Sequence, residues 1–224
     1  MATVSYEQTG AVGHINIDDG AKNVINHEVL DELEACWKEA SIHADAIILS
    51  GRPGSFCAGY DIKVMTGGDP NAAKELGSRG GRFALELYGS DRPVIGVSQG
   101  HGFTIGAVWL ACCDLRYGEA GPFKYGMTEV ALGVGFSDWP LEPLRARLKP
   151  ENFVPAVLHS EIYEPEAAVE VGFIDQVVPE GQALDIAMAK AAQLAELPRD
   201  AYAATKRVIR RDSLAIMAKE LLGE

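Results

Sequence analysis

The 224-residue sequence predicts an α/β fold whose C-terminal third is helical. Three observations point there. Residues 46–50 and 94–97 are short runs that are apolar at successive positions, as strands covered on both faces require. Segments with helical periodicity separate them, and alternating strands and helices mark βαβ units. From Pro140 onward the pattern is helical almost throughout.

Residues 4–7 and 12–17 read as two strands around a Thr9-Gly10 turn, and 19–22 as a loop. Asn26 is placed to cap a helix over 27–41 that carries Val29, Leu30, Leu33 and Trp37 on one face. After the strand at 46–50, residues 51–59 (Gly-Arg-Pro-Gly-Ser-Phe-Cys-Ala-Gly) form a turn-rich loop, 61–65 a helical turn, 66–71 a flexible hinge and 72–88 a partly polar helix. The strand at 93–97 runs into a glycine-rich turn and then an apolar helix with no polar face, which belongs inside a core. A strand from Leu115 follows. Helices are expected at 141–148, 150–158, 164–171 and 182–197, with two short ones between 199 and 222; residues 174–178 are extended. The chain therefore divides into an α/β core, 1–140, and a helical region, 141–224, that packs on its own core or on a neighbouring subunit.

The net charge of −12 argues against a nucleic-acid or anionic-membrane partner, and leaves an anionic small ligand open. No apolar run spans a bilayer, and the first ten residues lack the basic and apolar regions of a secretory signal. Cys36, Cys57, Cys112 and Cys113 lack metal-ligand spacing, and His14, His27, His43 and His101 form no cluster, so no metal centre is expected. A cytoplasmic protein with free thiols fits this usage.

Several residues are candidates for chemistry. Thr104 is placed as the N-cap of the apolar helix, which leaves the Ile105 N–H at a helix start where a negatively charged oxygen can be held. Gly59 permits a tight bend before Tyr60-Asp61, so the Tyr60 amide is a second free donor; two ordinary capped helices would look the same. Glu129 is the one acid in an apolar, glycine-bounded segment, either a proton-transfer group with a raised pKa or a solvent-facing edge residue. Asp138 is a second acid or a helix cap. Gly96-Val97-Ser98-Gln99-Gly100 matches the nucleophile-elbow pattern, and Asp138 and His159 follow in hydrolase order, so a serine hydrolase using Ser98 is a rival. The glycines from Gly100 to Gly106 are spaced one residue too long for a dinucleotide fingerprint.

Four segments resemble the crotonase superfamily of enoyl-CoA hydratases and isomerases. Ser55-Phe56-Cys57-Ala58-Gly59-Tyr60-Asp61-Ile62 is similar to its F-x-A-G-x-D segment, and 100–114 to its glycine-rich turn and helix. Residues 125–133 resemble the segment bearing a catalytic glutamate, and 164–178 the A-x-x-x-G-[IL]-[VI]-D-x-V-V signature. The resemblance implies a crotonase-like spiral of β-β-α units with a C-terminal helical region, acting on acyl-CoA thioesters. Coenzyme A enters as part of the substrate, with no permanently bound cofactor. By residue match the Tyr60 and Ile105 amides are the oxyanion donors, Ile105 standing where the family has the middle glycine of a G-G-G run. Glu129 matches the second of the hydratases' two glutamates, and Val108 stands where the first would be. A lone glutamate suits Δ3,Δ2-enoyl-CoA isomerisation, with hydration of 2-enoyl-CoA as the alternative and a CoA-ester binder without turnover as a non-enzyme class. Substrate-binding positions implied are Lys22, Val24, Ala58, Gly59, Asp61, Ile62 and Gly106, with Lys22 and Arg52 as candidates for the ligand's phosphates. The resemblance also implies a homotrimer or a dimer of trimers, although the chain ends at Glu224, before the last helix of most relatives.

Overall fold

The computed structural model describes residues 2–223. Glu224, the last residue of the expected helical region, and Met1 lie outside the described residues. The main sheet has six strands. In chain order these are β1 (Val4–Thr9), β2 (Val12–Ile17), β4 (Ala46–Gly51), β7 (Val94–Ser98), β9 (Leu115–Glu119) and β12 (Gln176–Val178), and they lie side by side in that order. Only β1 and β2 pair antiparallel; the crossovers between the others carry helices.

The pleat of β4 explains its apolar run. Ile47 and Leu49 face a large core with α1 (His27–His43), α3 (Pro70–Gly89) and α4 (Ile105–Cys112). Ala46 and Ile48 face a second core, closed by Ala183, Ala187 and Ala191 of α8 (Ala183–Ala195). Asn26 caps α1 as expected, its side chain accepting from the Val29 N–H at 2.9 Å. In the large core Phe83 stands edge-on to both Trp37 and Trp109, and the Trp109 indole N–H donates to the Gly80 carbonyl. No helix of the described residues is long and apolar enough to cross a membrane.

A smaller sheet holds β5 (Gly54–Cys57), β8 (Gly100–Phe103), β10 (Tyr125–Gly126) and β11 (Ile162–Tyr163), in the order β11-β10-β8-β5, and a third pairs β3 (Val24–Ile25) with β6 (Gly59–Tyr60). These correct the expected loop at 51–59 and the expected glycine-rich turn before α4. Strands of two to four residues carry too few alternations to announce themselves. Close approach explains the glycine at 100: a Cβ there would sit 2.0 Å from the Gly54 carbonyl carbon. The hinge at 66–71 is shorter than expected, because Asp69 caps α3 and Pro70 opens it.

The tail contributes α5 (Asp138–Arg147), α6 (Pro150–Val157), α7 (Pro165–Val171), α8, α9 (Arg199–Ile209) and α10 (Arg211–Leu222). Asp138 is the first helical residue of α5, not its cap; Ser137 occupies the cap position.

Candidate active site

Three segments meet at the N-terminal end of α4. In the first, β6 runs parallel to β3, and the Asp61 N–H donates to the Ile25 carbonyl at 2.8 Å. Alternate residues of a strand turn their amides to opposite sides, so the Tyr60 N–H is directed away from β3. In the second, the Val108 N–H reaches back to the Thr104 carbonyl, which leaves the Ile105 N–H in the first turn without an intrahelical acceptor. In the third, the Thr104 N–H donates to the Gly126 carbonyl, binding the segment that leads to Glu129 alongside α4.

Thr104 departs from expectation. It holds the cap position, but at φ 50° and ψ −120° its side chain makes no capping bond, and its buried Oγ1 has no partner. For a β-branched residue a positive φ is strained. The side chain instead lies on Gly59, where a Cβ would come within 2.4 Å of Oγ1.

Glu129 lies just before a short 3₁₀ turn at Val130–Leu132, its carbonyl accepting from the Leu132 and Val134 amides. Its Oε2 is shielded from solvent and has no hydrogen-bond partner. Burial pushes the carboxyl up to about 7, opposed only by backbone hydrogen bonds at Thr128 and Glu129. Its charge reaches Tyr60, whose phenol is buried and held well above its ordinary range. Tyr60 Oη is 3.3 Å from the Gly77 carbonyl of α3. Glu129 as a whole is half-buried, with only Oε2 fully shielded. All eight residues of α4, Val108 among them, are buried, and none is acidic.

The opposite end of α4 is closed by cations from the tail. Arg147 donates to the Ala111 and Cys113 carbonyls, and Arg210 to that of Cys112. Asp114 accepts from Lys206 at 2.7 Å and from Arg210 at 2.8 Å. A cavity of about 580 Å³ opens at this end, far along the helix from the amides just described. Sequence reading missed these cations; the trace they leave is Lys206 on the inward face of amphipathic α9 and buried Arg210 at the junction of α9 and α10.

The other expected positions divide. Ala58, Gly59 and Gly106 lie at the meeting of β6 and α4, with the Ala58 N–H bonded to the Lys22 carbonyl at 3.1 Å. Val24 pairs with Gly59. Asp61 caps α2 (Ile62–Thr66) by accepting from the Lys63 N–H, and Ile62 is exposed. Lys22 is exposed on the loop before β3. Arg52, a phosphate candidate, is instead engaged: its Nε lies 2.8 Å from the Asp18 carboxylate and its Nη1 donates to the Ala21 carbonyl.

The serine-hydrolase constellation does not assemble. Ser98 is completely buried, donates to the Gly100 carbonyl and accepts from the Tyr125 hydroxyl. A nucleophile needs access and a base. Asp138 lines a cavity of about 720 Å³ with Phe136, Lys219 and Glu220.

Comparison with known proteins gives the family and the fold. The family model described as enoyl-CoA hydratase/isomerase matches residues 7–221. Human mitochondrial enoyl-CoA delta isomerase 1 is 28% identical over 185 residues, which is 82% of this chain and 61% of that protein. The chain thus spans less than two thirds of that relative's length. A crystal structure of an enoyl-CoA hydratase/isomerase family protein from Pseudomonas syringae superposes with a TM-score of 0.94 at 32% identity, covering 99% of this chain and 96% of that one. The enoyl-CoA hydratase EchA3 from Mycobacterium ulcerans superposes at 0.95 and 28% identity, covering 99% and 97%. The crotonase-like fold expected from the sequence is the one observed.

Proposed function

Because the chain belongs to the enoyl-CoA hydratase/isomerase family, we propose that it shifts the double bond of a 3-enoyl-CoA thioester to the 2-position, with Glu129 as its one acid/base and the Tyr60 and Ile105 amides as its oxyanion donors. The carboxylate takes a proton from C2, and the electron pair moves onto the thioester oxygen. The two amides hold that oxygen while the enolate lasts. Glu129 then returns the proton at C4, so no atom is gained or lost. Each preorganised donor is worth about 2.7–4 kcal/mol of transition-state stabilisation.

The observation that carries this proposal is the shielded, unpartnered Glu129 oxygen, on a segment that Gly126 ties to Thr104, together with an α4 that bears no acid. A carboxyl poised at about 7 exchanges a proton near neutrality at little cost. Water addition asks for a second acid to grip the water, and Val108 occupies the position for it. The backbone at 22–24 and 58–62 is the proposed seat of the CoA moiety, with Lys22 as the remaining phosphate candidate. The same proposal gives a cytoplasmic homotrimer or dimer of trimers. Exposed Val130, Leu132, Val134, Leu158 and Ile162 support a self-interface, since the Ala131 N–H bonds Ser160 Oγ and brings the two segments together.

The deciding assay offers 3-enoyl-CoA and crotonyl-CoA to the wild type and to Glu129→Gln. Isomerisation that vanishes in the variant supports the proposal. Water addition by the wild type without isomerisation assigns the hydratase activity instead, and tight CoA-ester binding without conversion of either substrate assigns a binder.

A further inference from the structure

Between the two proposed donors stands a side chain that the isomerisation scheme does not use. Cys57 ends β5, two residues before Gly59, and is completely buried. Its Sγ accepts from the Gly59 N–H at 3.4 Å and lies against Gly106, where a Cβ would sit 3.2 Å from it. Gly59 immediately precedes Tyr60, and Gly106 immediately follows Ile105. One sulfur therefore touches the chain beside each donor.

The fit is reciprocal. A Cβ on Gly106 would sit 2.6 Å from Cys57 Cβ and 2.9 Å from the Cys57 carbonyl oxygen, so the missing side chain is what lets α4 approach β5. A Cβ on Gly59 would strike Thr104. Helix α4 also lacks its ordinary cap, because Thr104 makes no side-chain bond to the first turn. An exposed helix would satisfy its first amides with water; α4 is buried and needs a protein acceptor.

We propose that the Cys57 thiol supplies that cap across the gap between segments, and that it is the positioning residue setting the spacing of the Tyr60 and Ile105 amides. By occupying Gly59 and Gly106 it leaves the amides of Tyr60 and Ile105 as the ones free to meet an oxyanion. Sulfur is suited to the place. Helix starts ordinarily lower a thiol's pKa, but here burial outweighs the two amides and pushes it up to about 12. The acceptor stays neutral, so it does not compete as an anion for the field of the helix start. The inference rests on the donor assignment made above.

Two measurements test it, using Cys57→Ala and Cys57→Ser. In the first, Cys57→Ala lowers kcat for isomerisation by about tenfold or more with KM little changed, since displaced donors cost transition-state binding first. Cys57→Ser keeps an acceptor and recovers most of the loss. In the second, amide hydrogen exchange read by NMR quickens at Gly59 and Gly106 in Cys57→Ala, with Leu110 as internal reference, and stays protected in Cys57→Ser. Unchanged kcat together with unchanged exchange overturns the proposal. So does a Cys57→Ser variant as impaired as Cys57→Ala, which makes the site one of packing alone. Should Cys57→Ala not fold, Cys57→Ser decides: protected Gly59 and Gly106 amides support the cap, and free exchange removes it. A wild type that converts no 3-enoyl-CoA defeats the isomerase assignment, whereas the exchange measurement still tests the cap.

Discussion

The Arg210 guanidinium donates to the Cys112 carbonyl at 3.1 Å, closing the C-terminal end of α4 from the junction of the last two helices. The same side chain bonds the Tyr88 carbonyl at 2.7 Å and stacks over the Tyr88 ring. A buried apolar helix cannot turn its last carbonyls to water, so the tail supplies donors to them. Cations at this end also match the helix dipole, whose positive end faces the proposed oxyanion.

Arg210→Met leaves those carbonyls and Asp114 short of a partner. Because Lys206 keeps its pair with Asp114, the cost falls below that of a buried ion pair broken outright, about 3–5 kcal/mol. The expected outcome is a lower urea midpoint at unchanged slope; an unchanged midpoint would mean that water or Lys206 takes over.

The carboxylate form of Glu129 is the base, and burial raises its pKa to about 7. Activity is therefore expected to rise with pH through about 7 and level off above it. Glu129→Gln is expected to lose about 10²–10⁴-fold in kcat at the plateau. A kcat/KM profile that is flat between pH 5 and 9 contradicts the assignment.

The same shift has a sign for stability. A carboxyl whose pKa is raised on folding binds its proton more tightly in the native state, so the stability it contributes is present below the unfolded pKa and is lost as pH rises through about 7. Glu129→Gln removes that loss. The variant is expected to be more stable than the wild type above pH 7, by on the order of 2 kcal/mol, and to converge with it below pH 5. Denaturant melts at pH 5 and pH 8 read the difference.

Ile105 is the first residue of α4, a position where proline is compatible with a helix; the substitution removes the amide hydrogen together with part of a buried side chain. Ile105→Pro should keep the far-ultraviolet circular dichroism and lose about 10²–10³-fold in kcat. Full activity in a folded Ile105→Pro variant excludes this amide as a donor.

Thr104→Gly relieves the positive φ and removes an unpartnered buried hydroxyl. Relief of such strain is worth about 1–3 kcal/mol, part of which the lost contact with Gly59 offsets. A rise in Tm is expected; a fall would show that the packing on Gly59 outweighs the strain.

Much of the molecule is legible in the order of its residues. The apolar runs at Ala46 and Val94, the Asn26 cap and the unbroken apolar stretch from Ile105 announce themselves, because period and capping are local chemistry repeated over enough positions to be counted. The family motifs add the matches that single out Tyr60, Ile105 and Glu129 as candidates. Three things depended on folding. Glu129 is equally compatible with solvent in sequence; that one of its oxygens is shielded is decided by packing, since desolvation is a property of everything packed around a group. Thr104 has the local qualifications of a cap but takes a positive φ, with its side chain on Gly59 and its N–H bonded to Gly126. Arg147 and Arg210 acquire their partners from segments 34 to 122 positions away, and Cys57 meets α4 across β5. Spacing along the chain carries no record of such meetings; only close packing of the layers brings them about.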